Sequence, residues 1–416
     1  MIIRNIPYLK TLIRGSSKMI SLGILSQLII VVVTLSLTEF LDPEAFGIFG
    51  VYAAFWSILT TVMSGKYELS LLKLTKAYER NKIVQLCIVI IVATSTLGLL
   101  VLMLVFVIYD LPKYWAFILI SCIFSSVLGL FKIYQAADRV FSAYQVTLIV
   151  NAVFFATVAW LIVCLFEEYH KLALVIAHSS GLFASVIIVS FMNRALLPVI
   201  FANRIRFEEI KVLAIRYKSF TFKALPSELI MLIPQSIVIV VNSFLGNAIA
   251  GFYTLCQRVI LTPFLVFGLG FSEFIRSDIS VKHRSGVDVK TELYSYIAVI
   301  VGTGLLVILA SHLFFPILIK EFLSTEYTPL VGYLKILSFG LAGQAGVLFT
   351  AHLWQISDNK KLGLILLTLS QVLPISFFIV SAYQPGNTAN ELLVTLSLLM
   401  LFFSVLPIYY LKNAFK

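Results

Sequence analysis

The chain has 416 residues, of which 60% are hydrophobic and only 12% charged, whereas a soluble globular domain carries about a quarter of its residues as charges. That composition excludes a soluble fold and points to a membrane. The formal charge of +11 does not signal nucleic-acid binding, because the basic excess collects in short loops where it meets anionic lipid headgroups.

Before the first apolar run, Ile2, Ile3, Ile6, Leu9, Leu12 and Ile13 alternate with Arg4, Lys10, Arg14 and Lys18 at helical spacing, the pattern of a helix lying at the cytoplasmic interface. The run after Lys18 is too long for a signal-peptide core and lacks a small-residue cleavage pattern, so it is expected to be the first span. In chain order the apolar runs predict spans at 19–37, 47–65, 83–108, 115–134, 144–166, 172–192, 224–245, 251–272, 293–319, 332–356, 362–383 and 392–411. Each is close to the roughly 20 residues that a helix needs to cross hydrocarbon.

Positive charge tests that count, because Lys and Arg favour cytoplasmic loops. Lys66, Lys73, Lys76, Arg80 and Lys82 fall on the same side as the N-terminal cluster, followed by Lys132 and Arg139, then Arg194 through Lys223, Arg276 through Lys290, and Lys360 with Lys361. The alternate loops hold Lys113, Lys171 and Lys320 against the acids Glu39, Asp42, Glu44, Asp110, Glu167, Glu168, Glu321, Glu326 and Glu391. Both termini are thus expected in the cytoplasm.

The longest cytoplasmic connection, 193–223, divides the spans into two sets of six. The expected domains are a lobe at 1–192, a basic linker at 193–223 and a lobe at 224–416. Equal halves of this kind place a substrate path at their interface. The fold class expected is an all-α polytopic membrane protein, with twelve transmembrane helices in two six-helix lobes around a central cavity.

Cys87, Cys122, Cys164 and Cys256 fall inside spans without paired spacing, so neither a disulfide framework nor a zinc site is indicated. The five histidines are scattered, and no HExxH, GxSxG or Walker loop occurs, so no enzyme chemistry and no cofactor is expected. Gly268 with Gly270, Gly302 with Gly304, and Gly340, Gly343 and Gly346 lie within spans, where close helix packing explains them better than phosphate binding.

Ionisable groups in spans are costly to bury and therefore mark a transport path. Arg258 stands out. It lies about seven residues into span eight, roughly 11 Å deep at about 1.5 Å per residue, and its planar fork suits the oxygens of a diphosphate. Glu228 lies one turn inside span seven beside Pro226 and Pro234, and Gln235 and Asn242 follow at intervals of seven on the same face. Glu228 and Glu273 are candidate ion-coupling carboxylates. Lys66, Arg139, Gln235 and Asn242 join Arg258 as candidate substrate-binding residues, with interfacial snorkelling the plainer alternative for those at span ends.

Two segments carry a family resemblance. Phe40-Leu41-Asp42-Pro43-Glu44-Ala45-Phe46-Gly47-Ile48-Phe49, followed by Lys66-Tyr67-Glu68-Leu69, resembles the "LGPEEFGLY" turn and "RYEL" segment of Wzx-type polysaccharide flippases in the multidrug/oligosaccharidyl-lipid/polysaccharide exporter superfamily. Gly251-Phe252-Tyr253-Thr254-Leu255-Cys256-Gln257-Arg258-Val259, with Pro263 following, is similar to that family's "GLYALAQRV…P". Asp42 replaces the usual Gly, and Glu39 stands where many members carry Arg.

The resemblance implies a polyprenyl-diphosphate-linked oligosaccharide, such as an O-antigen repeat unit, flipped across a bacterial inner membrane by alternating access. A proton or sodium ion, membrane lipids and glycan polymerisation proteins are the partners it implies. A drug or cation antiporter of the same superfamily is the alternative, and it favours acidic residues along the path. A membrane-embedded glycan polymerase or ligase is expected to show a large extracytoplasmic loop, whereas the longest loop here is cytoplasmic.

The charge alternation makes a topology prediction. Thr388→Cys and Glu167→Cys are expected to react with an impermeant thiol reagent added to intact cells, and Ser285→Cys and Arg204→Cys are not. Labelling of the second pair overturns the twelve-span arrangement.

Overall fold

The computed structural model describes residues 22–74, 76–108, 114–137, 142–194, 207–261, 279, 282, 288–357 and 359–411. All regular secondary structure among them is helical. Hydrocarbon offers backbone N–H and C=O groups no water, so a spanning segment must satisfy them within itself.

The long helices are α1 (22–36), α2 (Pro43–Met63), α3 (Ala77–Ile108), α4 (Tyr114–Ala137), α5 (Ser142–Leu165), α6 (Ala173–Met192) and α7 (Phe207–Leu245). They continue with α8 (Asn247–Cys256), α9 (Lys290–Leu313), the short α10 (Phe315–Phe322), α11 (Thr328–Ile356), α12 (Lys360–Ala382) and α13 (Ala389–Tyr410). Among the described residues, 11 helical stretches are long and apolar enough to cross a membrane. They match the expected spans except the eighth, 251–272, which is described only through Leu261. The chain is therefore an all-α, multi-pass membrane protein. The N-terminal amphipathic segment lies outside the described residues.

Two boundaries differ from the hydropathy reading. Helix α3 begins at Ala77, ahead of the expected residue 83, because a charged first turn is invisible to an apolar window. Helix α7 runs for 39 residues from Phe207, so 207–223, read in sequence as linker, is helical and continuous with span seven. Its inward face explains this. Ile210, Leu213, Ala214 and Tyr217 pack with Leu71, Ile83, Val84, Leu86 and Leu130, an amphipathic stripe at helical spacing.

Packing divides the chain into two compact units. The first is Phe49–Gln235, and the second combines the described residues of Met1–Ile48 and Ser236–Lys416. In the first unit α5 lies along α6 and α4 packs on α6. In the second, α13 lies along α11, α12 packs on α13 and α9 on α11.

Small residues let α11 and α13 meet. A Cβ on Gly340 would stand 2.8 Å from the Ser397 Cα, and one on Gly343 would stand 2.5 Å from the Ser404 hydroxyl. The Ser397 hydroxyl accepts from the Gly340 N–H at 2.9 Å and donates to the Ile336 carbonyl at 2.6 Å. It thus inserts beside one rung of the α11 ladder and ties the two helices together, as small-residue interfaces in membranes do.

Gly340→Val is therefore expected to destabilise the protein in detergent by about 1–3 kcal/mol through overpacking. Gly302→Val is the matched control, since a Cβ there meets nothing within 4 Å. Equal melting of the two variants would show that the α11–α13 contact is loose.

Candidate functional site

In the first unit, α2 ends at Met63 and the chain passes through two left-handed residues, Gly65 (φ 60°) and Lys66 (φ 59°), into a 3₁₀ turn at Tyr67–Lys73. Glycine adopts this conformation freely, whereas a residue with a Cβ does so at a cost of about 1–2 kcal/mol. Lys66 is the only non-glycine residue with positive φ among those described. Such a conformation persists where the surroundings hold it.

The Lys66 ammonium shows what holds it. Its Nζ lies 2.7 Å from Glu228 Oε2 on α7 and 4.0 Å from Glu68 Oε1 on its own turn. The three side chains differ in their access to solvent: Glu68 is 7% exposed, Lys66 15% and Glu228 41%. Ser64 Oγ donates to Glu68 Oε1 at 3.1 Å, while the buried Glu68 Oε2 has no hydrogen-bond partner among the described residues. Burial is the main cause that pushes the Glu68 carboxyl above its ordinary range. The Lys66 charge, the backbone and Ser64 oppose it, and Glu228 adds to it.

Three further contacts fix α7 against this turn. Lys82 Nζ lies 2.7 Å from Glu209 Oε2, the Tyr67 hydroxyl donates to the Ala214 carbonyl at 3.3 Å, and Thr221 Oγ1 donates to the Gly65 carbonyl at 2.6 Å. The amphipathic start of α7 is thereby clipped to the ends of α2 and α3, which brings Glu228 to Lys66.

The same unit contains a polar knot that the sequence does not reveal. The Tyr52 hydroxyl donates to Ser121 Oγ at 2.6 Å and lies 2.8 Å from His178 Nδ1, and Ser121 and Ser179 are 2.8 Å apart. Phe49 and Trp56 present to the His178 ring nearly at right angles. His178, scattered in sequence, is thus a structural histidine joining α2, α4 and α6.

In the second unit the two family-like segments meet. A Cβ on Gly47 would stand 2.0 Å from the Asn247 carbonyl oxygen, and one on Gly251 would stand 1.8 Å from that of Pro43. Neither position accepts a larger residue, because both obstructions are backbone. Phe46 and Phe252 each meet Tyr327 edge-on, and the Tyr327 hydroxyl donates to the Leu41 carbonyl. Beyond the crossing, α8 widens into a π-turn at Gln257–Leu261, a departure frequently found at functional positions. Arg258 sits in that turn, half-buried, with Nη1 donating to Thr34 Oγ1 on α1.

Of the expected site residues, the structure brings Lys66 and Glu228 into direct contact. Gln235 is half-buried on α7, next to the buried Pro234. Asn242 is half-buried too, with its Oδ1 enclosed and lacking a partner among the described residues. Arg258 and Asn242 belong to the second unit, Lys66, Glu228 and Gln235 to the first. Arg139 and Glu273 lie outside the described residues. Glu68 is the residue that sequence reading passed over, and its signal was its place two residues after Lys66 in the "RYEL"-like segment.

The raised Glu68 carboxyl has a signed consequence for stability. The native state keeps the proton where the unfolded chain has lost it, so this contribution to stability is present below the ordinary carboxylate value and is lost as pH rises through the native one. Glu68→Gln is expected to melt with the wild type near about pH 4 and above it near about pH 8. A variant melting below the wild type at the higher pH would mean that Glu68 serves as a charged partner.

No family model matches the chain, and no curated protein matches its sequence. Solved structures do match its fold. An inward-facing multidrug resistance MATE family transporter of the MOP superfamily superposes with a TM-score of 0.71 at 12% identity, covering 94% of this chain and 97% of the other. The Vibrio cholerae MATE transporter VcmN gives 0.64 at 14%, covering 97% of each. The lipid II flippase MurJ in an inward closed conformation gives 0.65 at 14%, covering 94% of this chain and 86% of the other. The chain therefore has the fold of MOP superfamily transporters, which MATE exporters share with a lipid flippase.

Proposed function

We propose that this protein flips a polyprenyl-diphosphate-linked oligosaccharide, an O-antigen repeat unit or one like it, across a bacterial inner membrane by alternating access. The observation that carries the reading is Arg258, a guanidinium set in a π-turn of an otherwise apolar span and oriented by the Thr34 hydroxyl. A diphosphate and its sugars cannot cross hydrocarbon unaided, because each unmet polar group costs several kcal/mol. A fixed guanidinium gives the headgroup a bidentate, charge-assisted contact while the lipid tail stays in the bilayer.

The likeness to both multidrug transporters and a lipid flippase leaves a drug or cation antiporter as the second reading. Charge placement favours the first. Glu39, Glu44, Glu79, Glu292, Glu321, Glu326 and Glu391 sit at the ends of the described spans, and Glu228 lies one turn inside. A cation path calls for acids at the depth where this chain carries Arg258. Lys66, Arg139, Gln235 and Asn242 are assigned to the substrate path, Glu228 and Glu273 to coupling with a proton or sodium gradient. Glycan polymerisation proteins are the partners this reading implies.

Deleting the protein should cause lipid-linked repeat units to accumulate on the cytoplasmic leaflet. Arg258→Ala should do the same at normal protein levels, since losing a charge-assisted contact costs about 1.5–3 kcal/mol, or about one to two decades in headgroup affinity. Arg258→Lys should rescue in part, keeping charge but losing the planar fork. Wild-type surface glycan in Arg258→Ala cells would make Arg258 structural.

A further inference from the structure

At the turn after α2 the Lys66 ammonium stands between Glu68 on its own turn and Glu228 on α7, and it has closed on the more exposed acid. Lys66 Nζ is 2.7 Å from Glu228, whose side chain is 41% exposed, and 4.0 Å from Glu68, whose side chain is 7% exposed. Were both acids ionised, the buried one would need the cation more, because a dry unpaired charge costs far more than one that water still reaches. The enclosed Glu68 Oε2 lacks a partner altogether among the described residues. An ionised carboxylate in that place would leave charge density on an oxygen without a hydrogen-bond partner among the described residues.

We infer that Glu68 is a proton-binding site, holding a proton on Oε2 while Lys66 pairs with Glu228 and releasing it when Lys66 turns to Glu68. On release the Oε2–H bond breaks and the proton passes to water on the open side beside Glu228. Lys66 keeps its own protons, and the trio goes from neutral to a net charge of −1. The described charged or titratable groups that act on Glu68 are Lys66 on its own turn, Glu228 on α7 and Cys87 on α3.

The geometry supplies the switch. Lys66 has two acids within reach of one flexible side chain, and its left-handed backbone is a conformation the surrounding contacts must hold in place. Burial also pushes the Glu68 carboxyl upward, which favours a bound proton. Glu228 then acts as the alternative partner of Lys66, and its part in ion coupling runs through that ammonium. The inference deepens the transport reading by naming a proton as the coupled ion.

The test needs no transported substrate, so it stands apart from the identity of the glycan. The full-length protein in liposomes is treated with N,N′-dicyclohexylcarbodiimide, which attacks protonated carboxyls in apolar surroundings, between about pH 5 and about pH 9, and modified residues are located by peptide mass spectrometry. Glu68 is expected to react most at the acidic end of that range, with modification falling as pH rises. Lys66→Gln should move the midpoint of that fall upward by about one unit or more, by removing the cation that favours ionisation. Glu228→Gln should move it downward, by freeing Lys66 for Glu68. Because the Glu228 side chain is the most exposed of the three, this second variant keeps the test decisive if Lys66→Gln does not fold. Unmodified Glu68 at every pH in the folded protein, or a midpoint that does not fall in Glu228→Gln, overturns the assignment. A normal Glu68 titration in a protein that moves no lipid-linked glycan leaves the proton site standing and removes the substrate reading.

Discussion

Charge cannot be left unattended in hydrocarbon, and the placement of ions in this chain follows from that constraint. The described spans keep most of their acids at the ends, and the cations Arg258 and Lys66 are each held by a neighbour. Arg258 is oriented by Thr34 in the second unit, and Lys66 is held by Glu228 in the first. Taking a charge out of water costs more than a single contact returns, so the half-buried Arg258 and the largely enclosed Lys66 are better explained by function than by folding.

Much of the fold was legible in the residues. An apolar run of spanning length in a chain this poor in charge has one stable solution, a helix, and the 11 described spans fall on the expected runs. Helix ends were less legible, because hydropathy averages over a window and misses a charged first turn such as Tyr78–Lys82. The start of α7 was missed for a different reason. Its apolar residues Ile210, Leu213, Ala214 and Tyr217 are interrupted by Glu208, Lys211 and Arg216, so mean hydropathy falls while amphipathic order remains. Gly340 was correctly read as a packing residue, but the Ser397 hydroxyl that exploits the gap is separated from it by 57 positions, beyond what periodicity can pair.

The candidate site was legible in part. Both family-like segments were visible as strings, yet nothing in either string says that Gly47 rests on Asn247 and Gly251 on Pro43. Only the fold shows that the two segments form one crossing and that the crossing leads directly into the π-turn carrying Arg258. Lys66 and Glu228 were each singled out for different roles, and their pairing depends on α7 being clipped down at Glu209, Ala214 and Thr221. Glu68 looked like one more residue at a span end. Its importance lies in burial, which a local pattern of charges does not encode.

The proposed transport role turns on whether the protein recognises a lipid-linked diphosphate. The most direct measurement is native mass spectrometry of the purified wild-type protein presented with an equimolar mixture of a polyprenyl-diphosphate oligosaccharide and a hydrophobic organic cation. The account predicts that the protein retains the diphosphate-linked lipid and discards the cation. Retention of the cation in preference to the lipid would contradict it, and would place this chain among the drug exporters whose fold it shares.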